Sequence, residues 1–303
     1  MNNAPKEGIR LNKFIASSGL SSRRGADDLI FDGNVTVNNE LCLIPGYIVK
    51  REDHVKVNGK SVRSKETQTV IFNKLPGYVT TKNDEFDRET IYDILPPKYS
   101  HLNHVGRLDQ ESEGLLVMTN DGNLANKLTH PRQKIEKEYL VTVNQPIEEV
   151  HLEQFLKGIY LEEGRATAKA VTRLSGRRIS MTLETGMKRQ IRMMCRALGY
   201  QVKKLVRIRI GAYEGFGLEP GEAREMEEGE IAALLRNPGA RQMTKKTVIA
   251  GGQKRRDEKT AEARKKAAIK KAKRGPAKGG ARGPARGPAR KASRGPKGPR
   301  RRS

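Results

Sequence analysis

The 303-residue chain carries 60 Lys+Arg against 35 Asp+Glu, a formal net charge of +25, and two cysteines. Cys42 and Cys195 are isolated, which argues against a disulfide framework or a zinc site. No apolar run approaches the roughly 18 residues needed to cross a bilayer, and the N-terminus lacks a signal-type apolar core, so a cytoplasmic protein without membrane contact is expected.

The charge is uneven. Lys254 to Ser303 holds 21 basic and 3 acidic residues, leaving 39 basic against 32 acidic in the other 253. That smaller excess still favours a polyanionic partner, with nucleic acid the first candidate.

The first block spans residues 1–66. Leu11, Phe14, Ile15 and then Ala26, Leu29, Ile30 recur at helical spacing, predicting two short amphipathic helices. Ser17 to Ser22 supplies the turn between them and an N-cap for the second. Gly33-Asn34 leads into a strand, Val35-Thr36-Val37, with a turn at Asn38-Asn39. A second extended piece, Asp53 to Val57, ends at Asn58-Gly59. So small a core should lean on its neighbour. Arg10, Lys13, Arg23 and Arg24 fall on the helices and their joining turn.

The second block, residues 67–240, opens with a strand at Val70 to Lys74 that breaks at Pro76-Gly77 and is expected to resume over Tyr78 to Thr81. Further strand-like runs are Gly114–Thr119, Glu138–Val143 and Arg178–Leu183. Helical patterns surround Leu124–Leu128, Val150–Leu156 and Arg189–Leu198. Without a regular βαβ beat this mixture predicts an α+β fold with a largely antiparallel sheet. No glycine-rich nucleotide motif appears, so no cofactor is expected. The third block, residues 241–303, is Lys, Arg, Ala, Gly and Pro, with Arg-Gly-Pro-Ala at Arg274, Arg282 and Arg286. It has almost nothing to bury and is expected to be disordered. Glu258 to Lys273 could become helical against RNA.

The densest polar stretch runs from Gly106-Arg107-Leu108-Asp109 through Gln110-Glu111-Ser112-Glu113 to Asp121-Gly122. A carboxylate at a strand end can do chemistry, but a loop aspartate is more often a turn former or cap. On this segment alone the second reading is favoured.

The segment keeps company, however. With Asn73-Lys74 and Pro76-Gly77, Glu136 to Val141, and Glu184 to Arg192, it resembles the RsuA/RluB/RluE/RluF family of ribosomal pseudouridine synthases. Arg10 to Phe14, Ser21 to Arg24 and Gly33 to Asn38 likewise resemble the S4 RNA-binding domain, in the place that family puts it. The resemblance covers residues 9 to 235. It implies an S4 helix pair with a small sheet, then a mixed-sheet synthase domain, isomerising a uridine of ribosomal RNA to pseudouridine without metal or cofactor.

The family's roles map as follows. Asp109 is the catalytic aspartate. Tyr139 stacks on the extruded base, and Arg192 pairs with Asp109 through a bidentate fork. Arg107 contacts phosphate or fills the space left by the flipped base. Leu205 fits either a wall under the uracil or a core position. Lys203, Lys204, Arg207 and Arg209 read as a basic strip for the RNA backbone, and Arg10, Lys13, Arg23 and Arg24 as phosphate contacts of the S4 domain. The segment from Arg189 to Cys195 and the basic tail look more like the 23S rRNA members, RluF-like in particular. A monomer is expected. The competing readings are a noncatalytic S4-type ribosome-assembly protein and a synthase acting on 16S rRNA or tRNA. An intact set of Asp109, Tyr139 and Arg192 disfavours the pure binder.

Truncation after Arg241 should weaken RNA affinity and flatten its salt dependence, by about 0.7–0.9 in logarithmic slope for each phosphate the tail neutralises. An unchanged slope across a salt series would exclude the tail as an RNA-binding segment.

Overall fold

A computed structural model of the chain describes residues 8–215 and 217–238. The basic tail, including the helix expected over Glu258 to Lys273, lies outside these residues.

The N-terminal part folds as its pattern predicts. Helix α1 (Leu11–Ser17) and helix α2 (Arg23–Phe31) pack through Leu11, Ile15, Ala26 and Ile30. Ser22 caps α2 by accepting from Gly25 N at 3.0 Å. Strands β1 (Val35–Val37) and β2 (Val55–Val57) form the centre of a four-stranded antiparallel sheet, whose alternate valines complete this core. Asn38, Asn39, Asn58 and Gly59 take the positive φ that its tight turns require.

The chain then enters a nine-stranded sheet. Its elements are β3 (Thr69–Lys74), β4 (Glu113–Thr119), α3 (Gly122–Thr129), β5 (Lys137–Val143), α4 (Glu149–Lys157), β6 (Ala170–Ser175), β7 (Arg178–Leu183), α5 (Gln190–Ala197), β8 (Val202–Ile210), β9 (Ala223–Glu225) and α6 (Glu228–Leu234). The strand order is β6-β7-β5-β8-β4-β3-β9, with Asn103–Val105 beside β4 and Tyr213–Glu214 beside β8. The pairing is antiparallel except at β8 and β4, which run parallel. The fold is thus α+β with a mostly antiparallel sheet.

Three apolar clusters cover the sheet. One, around Val141, Ile179, Met181 and Leu205, packs under α4 and α5. The strands β3 and β4 are buried on both faces. Val70, Phe72, Leu116 and Met118 face one core; Ile71, Leu115 and Val117 face another. Central burial explains why these strands read as continuous apolar runs.

Two expectations need correction. Tyr78 to Thr81 does not resume a strand; Val79 makes a single bridge to Thr90. Val79 N donates to Glu89 O (2.8 Å) and Thr80 Oγ1 to Leu108 O (2.7 Å), and Gly77 N just before the segment donates to Gln110 O (2.7 Å). The basic strip Lys203 to Arg209 is part of β8, a nine-residue central strand, and so is not one exposed face.

The register sets one row of residues across the sheet. Lys74 pairs with Gly114, Gly114 with Arg207, Arg207 with Tyr139, and Tyr139 with Met181. Paired residues of adjacent strands point to the same face. Gly114 is the narrow point of that row. Its φ is +104°, and a Cβ there would overlap the backbone of Arg207, lying 2.7 Å from its nitrogen. Gly114→Ala should therefore cost on the order of 2–4 kcal/mol through strain and clash together. Urea unfolding measures it, and a loss under about 1 kcal/mol would show that β4 and β8 can part without cost.

Candidate active site

The loop between Val105 and Glu113 is placed by its neighbours. Lys74, at the end of β3, is 1 % exposed, and its Nζ donates to Leu75 O (2.9 Å), Gln110 O (3.2 Å) and Ser112 O (2.9 Å). An ammonium has three donors, and all three are used. Ser112 N closes a turn onto Asp109 O at 3.0 Å. With Thr80 holding Leu108 and Gly77 holding Gln110, the backbone on both sides of Asp109 is fixed. Burial pushes the Lys74 amine down to about 8, against the raising effect of Glu113 and Asp109 nearby.

The Asp109 side chain is about one-third exposed. Arg192, on α5, brings Nε to 3.6 Å from its Oδ2 and is itself 12 % exposed. Arg189 Nη1 lies 3.9 Å from the same oxygen. The expected bidentate fork is not formed. Arg192 Nη2 donates to Ser112 Oγ (3.3 Å) and Nη1 to Val202 O (3.4 Å), leaving Nε buried without a hydrogen-bond partner. Glu111 competes for the same cations, 3.4 Å from Arg189 Nη2 and 3.7 Å from Arg192 Nη1, but is 61 % exposed and so weakly coupled.

Tyr139 is half-buried on the same face of the sheet. It packs against both the core that contains Leu108 and the core that contains Ile191, the residues before Asp109 and Arg192. Lys137 shares that face two residues earlier; its Nζ donates to Ile135 O (2.8 Å), and burial pushes it down to about 8. The site therefore sets an accessible carboxylate and an aromatic ring among buried cations.

This arrangement has relatives. Residues 68–197 match the RNA pseudouridylate synthase family, and residues 9–55 match the S4 domain. The chain is 38% identical over 236 residues to the dual-specificity RNA pseudouridine synthase RluF of Escherichia coli K12, covering 77% of this chain and 80% of that one. It belongs to this family of RNA pseudouridine synthases. Ribosomal large subunit pseudouridine synthase B of Bacillus subtilis is 36% identical over 231 residues, 74% of this chain and 95% of its own. A crystal structure of a pseudouridylate synthase aligns with a TM-score of 0.55 at 30% identity, over 75% of this chain and all of that one. Like the rest of the family, this enzyme is an isomerase acting on RNA.

The other residues singled out in the sequence separate into two groups. Arg10, Arg23, Arg24, Arg107 and Lys203 are exposed. Lys13 is half-buried and donates to Asn123 Oδ1 (2.7 Å), and Lys204 lies 3.5 Å from Glu113. Leu205 is buried in the core under α5. Arg207 and Arg209 correct the notion of a surface strip, because both are buried. Arg209 pairs with Glu138 (2.8 Å) and Glu136 (3.1 Å), while Arg207 donates from Nε to Leu115 O (2.7 Å). Sequence reasoning assigned no role to Lys74, Arg189 or Lys137. A lysine ending an otherwise apolar strand was the available signal for the first. No helix among the described residues is long and apolar enough to cross a membrane, and no metal-ligand cluster occurs among them.

The lowered Lys74 value has a definite consequence. Between pH 8 and about 10.5 the unfolded chain holds a proton that the folded enzyme has released, so this group adds stability as pH rises through that window. Wild type should gain on the order of 2–3 kcal/mol relative to Lys74→Met between pH 7 and pH 10. Paired urea melts measure this, and a pH-independent difference would contradict it. Turnover of Lys74→Met should fall at least about tenfold at pH 7, since three carbonyls lose a charged donor.

Proposed function

We propose that this synthase converts a specific uridine of 23S ribosomal RNA to pseudouridine, with Asp109 as the catalytic carboxylate. What carries the reading is the treatment of Asp109: its loop is clamped from below, and two arginines face its exposed carboxylate. A loop aspartate serving only as a turn former needs neither.

The reaction breaks the C1′–N1 bond, turns the uracil and joins C5 to C1′. Product and substrate are isomers, so no outside oxidant or energy source is required. Asp109 acts either as nucleophile at C1′ or as base on the C2′ proton. Both routes use the carboxylate, whose Oδ2 lies 3.6 Å from Arg192 Nε and 3.9 Å from Arg189 Nη1. Tyr139 offers the ring on which the flipped base stacks, while exposed Arg107 is placed to enter the helix from which the base has left. Arg10 just before the first S4 helix, Arg23 and Arg24 at the start of the second, and Lys203 are the proposed phosphate contacts. The large-subunit target is supported by the likeness to the Bacillus subtilis synthase, and the enzyme is read as a cytoplasmic monomer.

Asp109→Asn should abolish pseudouridine formation while leaving RNA affinity within a few-fold. Chemical mapping of 16S and 23S rRNA from cells with and without the gene, and from cells carrying the Asn variant, reads the modification; a binding titration with the same RNA reads the affinity. Product formed by the Asn variant would remove Asp109 from the chemistry; a gene-dependent site in 16S rRNA would replace the target.

A further inference from the structure

Arg207 occupies the middle of the row that joins Lys74 to Tyr139, its backbone close against Gly114. It is 5 % exposed, and its Nη2 is buried without a hydrogen-bond partner. Nε is fixed on Leu115 O at 2.7 Å, so the guanidinium plane is set before any substrate arrives. A buried, incompletely bonded cation is costly, and this one stands among others. Lys74 and Lys137 both feel its positive charge, and both are made easier to deprotonate by it. Three cations thus converge on one face of the sheet. Its opposite number, Arg209, has found two carboxylates and a carbonyl on the other face.

Resting on the reading of Asp109 given above, we infer that Arg207 is a catalytic residue whose free Nη2–H donates to a carbonyl oxygen of the target uracil and stabilises it as a detached anion. When the C1′–N1 bond breaks, its electron pair moves onto the base and is shared by N1 and the two carbonyl oxygens. C1′ is compensated by Asp109, through an ester bond or through loss of the C2′ proton. Rejoining at C5 gives up the C5 proton and N1 takes one up, so atoms and charge balance. The base carries full negative charge only between the two bonds. A fixed donor in a water-poor site serves that state more than the neutral substrate. Adjacency to Tyr139, the proposed stacking surface, is what directs the guanidinium to the base and not to a backbone phosphate.

The test uses two transcripts of 23S rRNA, one with uridine and one with 5-fluorouridine throughout. Fluorine at C5 withdraws electrons and stabilises the uracil anion, so the fluorinated base needs the guanidinium less. Under single-turnover conditions with saturating enzyme, Arg207→Gln should slow conversion of uridine by ~10²–10³-fold. It should slow consumption of 5-fluorouridine by at least about tenfold less. There C5 keeps its fluorine and has no proton to give up, so after rejoining at C5 water adds at C6 and N1 takes the proton. That product is one water heavier than its substrate, and both substrates are read by nuclease digestion and nucleoside chromatography with mass detection. Arg207→Lys keeps the charge without the fixed fork and should fall between; it carries the same comparison should the Gln variant not fold. Equal slowing on both transcripts would make Arg207 a structural residue, and a defect confined to RNA affinity would make it a phosphate contact; either overturns the inference. Asp109→Asn runs beside them. If that variant still forms product, the reading of the site has failed; if it is inactive while the slowing is equal, only the role of Arg207 has.

Discussion

One buried ammonium group holds the candidate active site in place. Lys74 leaves the end of β3 already enclosed and gives its three N–H bonds to carbonyls of two loops. Two of those carbonyls, on Gln110 and Ser112, belong to the turn that follows Asp109, so the carboxylate is positioned through the backbone and not by contacts of its own side chain. The benefit is rigidity without occupying either carboxylate oxygen. The arginines of α5 and its N-cap approach one of them, Oδ2, at 3.6 and 3.9 Å. Removal of the Lys74 charge from water is the main cost, visible in how far its protonation has been pushed down.

The same row explains why β4 and β8 meet where they do. Parallel pairing is confined to Glu113 and Gly114 against Val206 and Arg207. That brief contact brings the end of the Asp109 loop, where β4 begins, beside β8, which in turn pairs with β5, the strand that carries Tyr139. Groups far apart in sequence (74 to 207) therefore share one surface because four strands agree in register. A slip of one residue in any of them would turn its contribution away from the site.

Much of this was legible in the sequence, and the exceptions have physical reasons. The helices of the S4 part, the strands at residues 70–74, 114–119, 138–143 and 178–183, and helices α3 to α5 all announce themselves by periodicity or apolar runs. Strand β8 did not, because Lys203, Lys204, Arg207 and Arg209 interrupt its pattern with charges that only tertiary partners make tolerable. Tyr78 to Thr81 looked like strand by composition, yet Val79 N goes to Glu89 O and Thr80 Oγ1 to Leu108 O in the Asp109 loop, choices that local pattern does not encode. At the site, Asp109 and Arg192 were found through the motif company they keep, and they are within 3.6 Å. The fork between them was not formed, since Ser112 and Val202 compete for the guanidinium. Lys74 was visible as a residue and invisible as a clamp, because its partners are carbonyl groups, which every residue has.

The register shift in β8 has a wider meaning. Tyr139 pairs with Arg207 and Glu138 with Arg209, although Tyr139 and Glu138 are adjacent and point to opposite faces. Ile208 is the extra residue, and it gives two arginines of the same parity opposite destinations. Without that one-residue insertion both guanidinium groups would face the same way. The face that carries Lys74 and Tyr139 would gain a fourth cation, while on the far face Glu138 would lose Arg209 and Glu136 would keep Lys169 at 2.9 Å. Ile208 has no polar group of its own, yet it acts as a charge sorter: its backbone, not its side chain, decides which face of the sheet is electropositive.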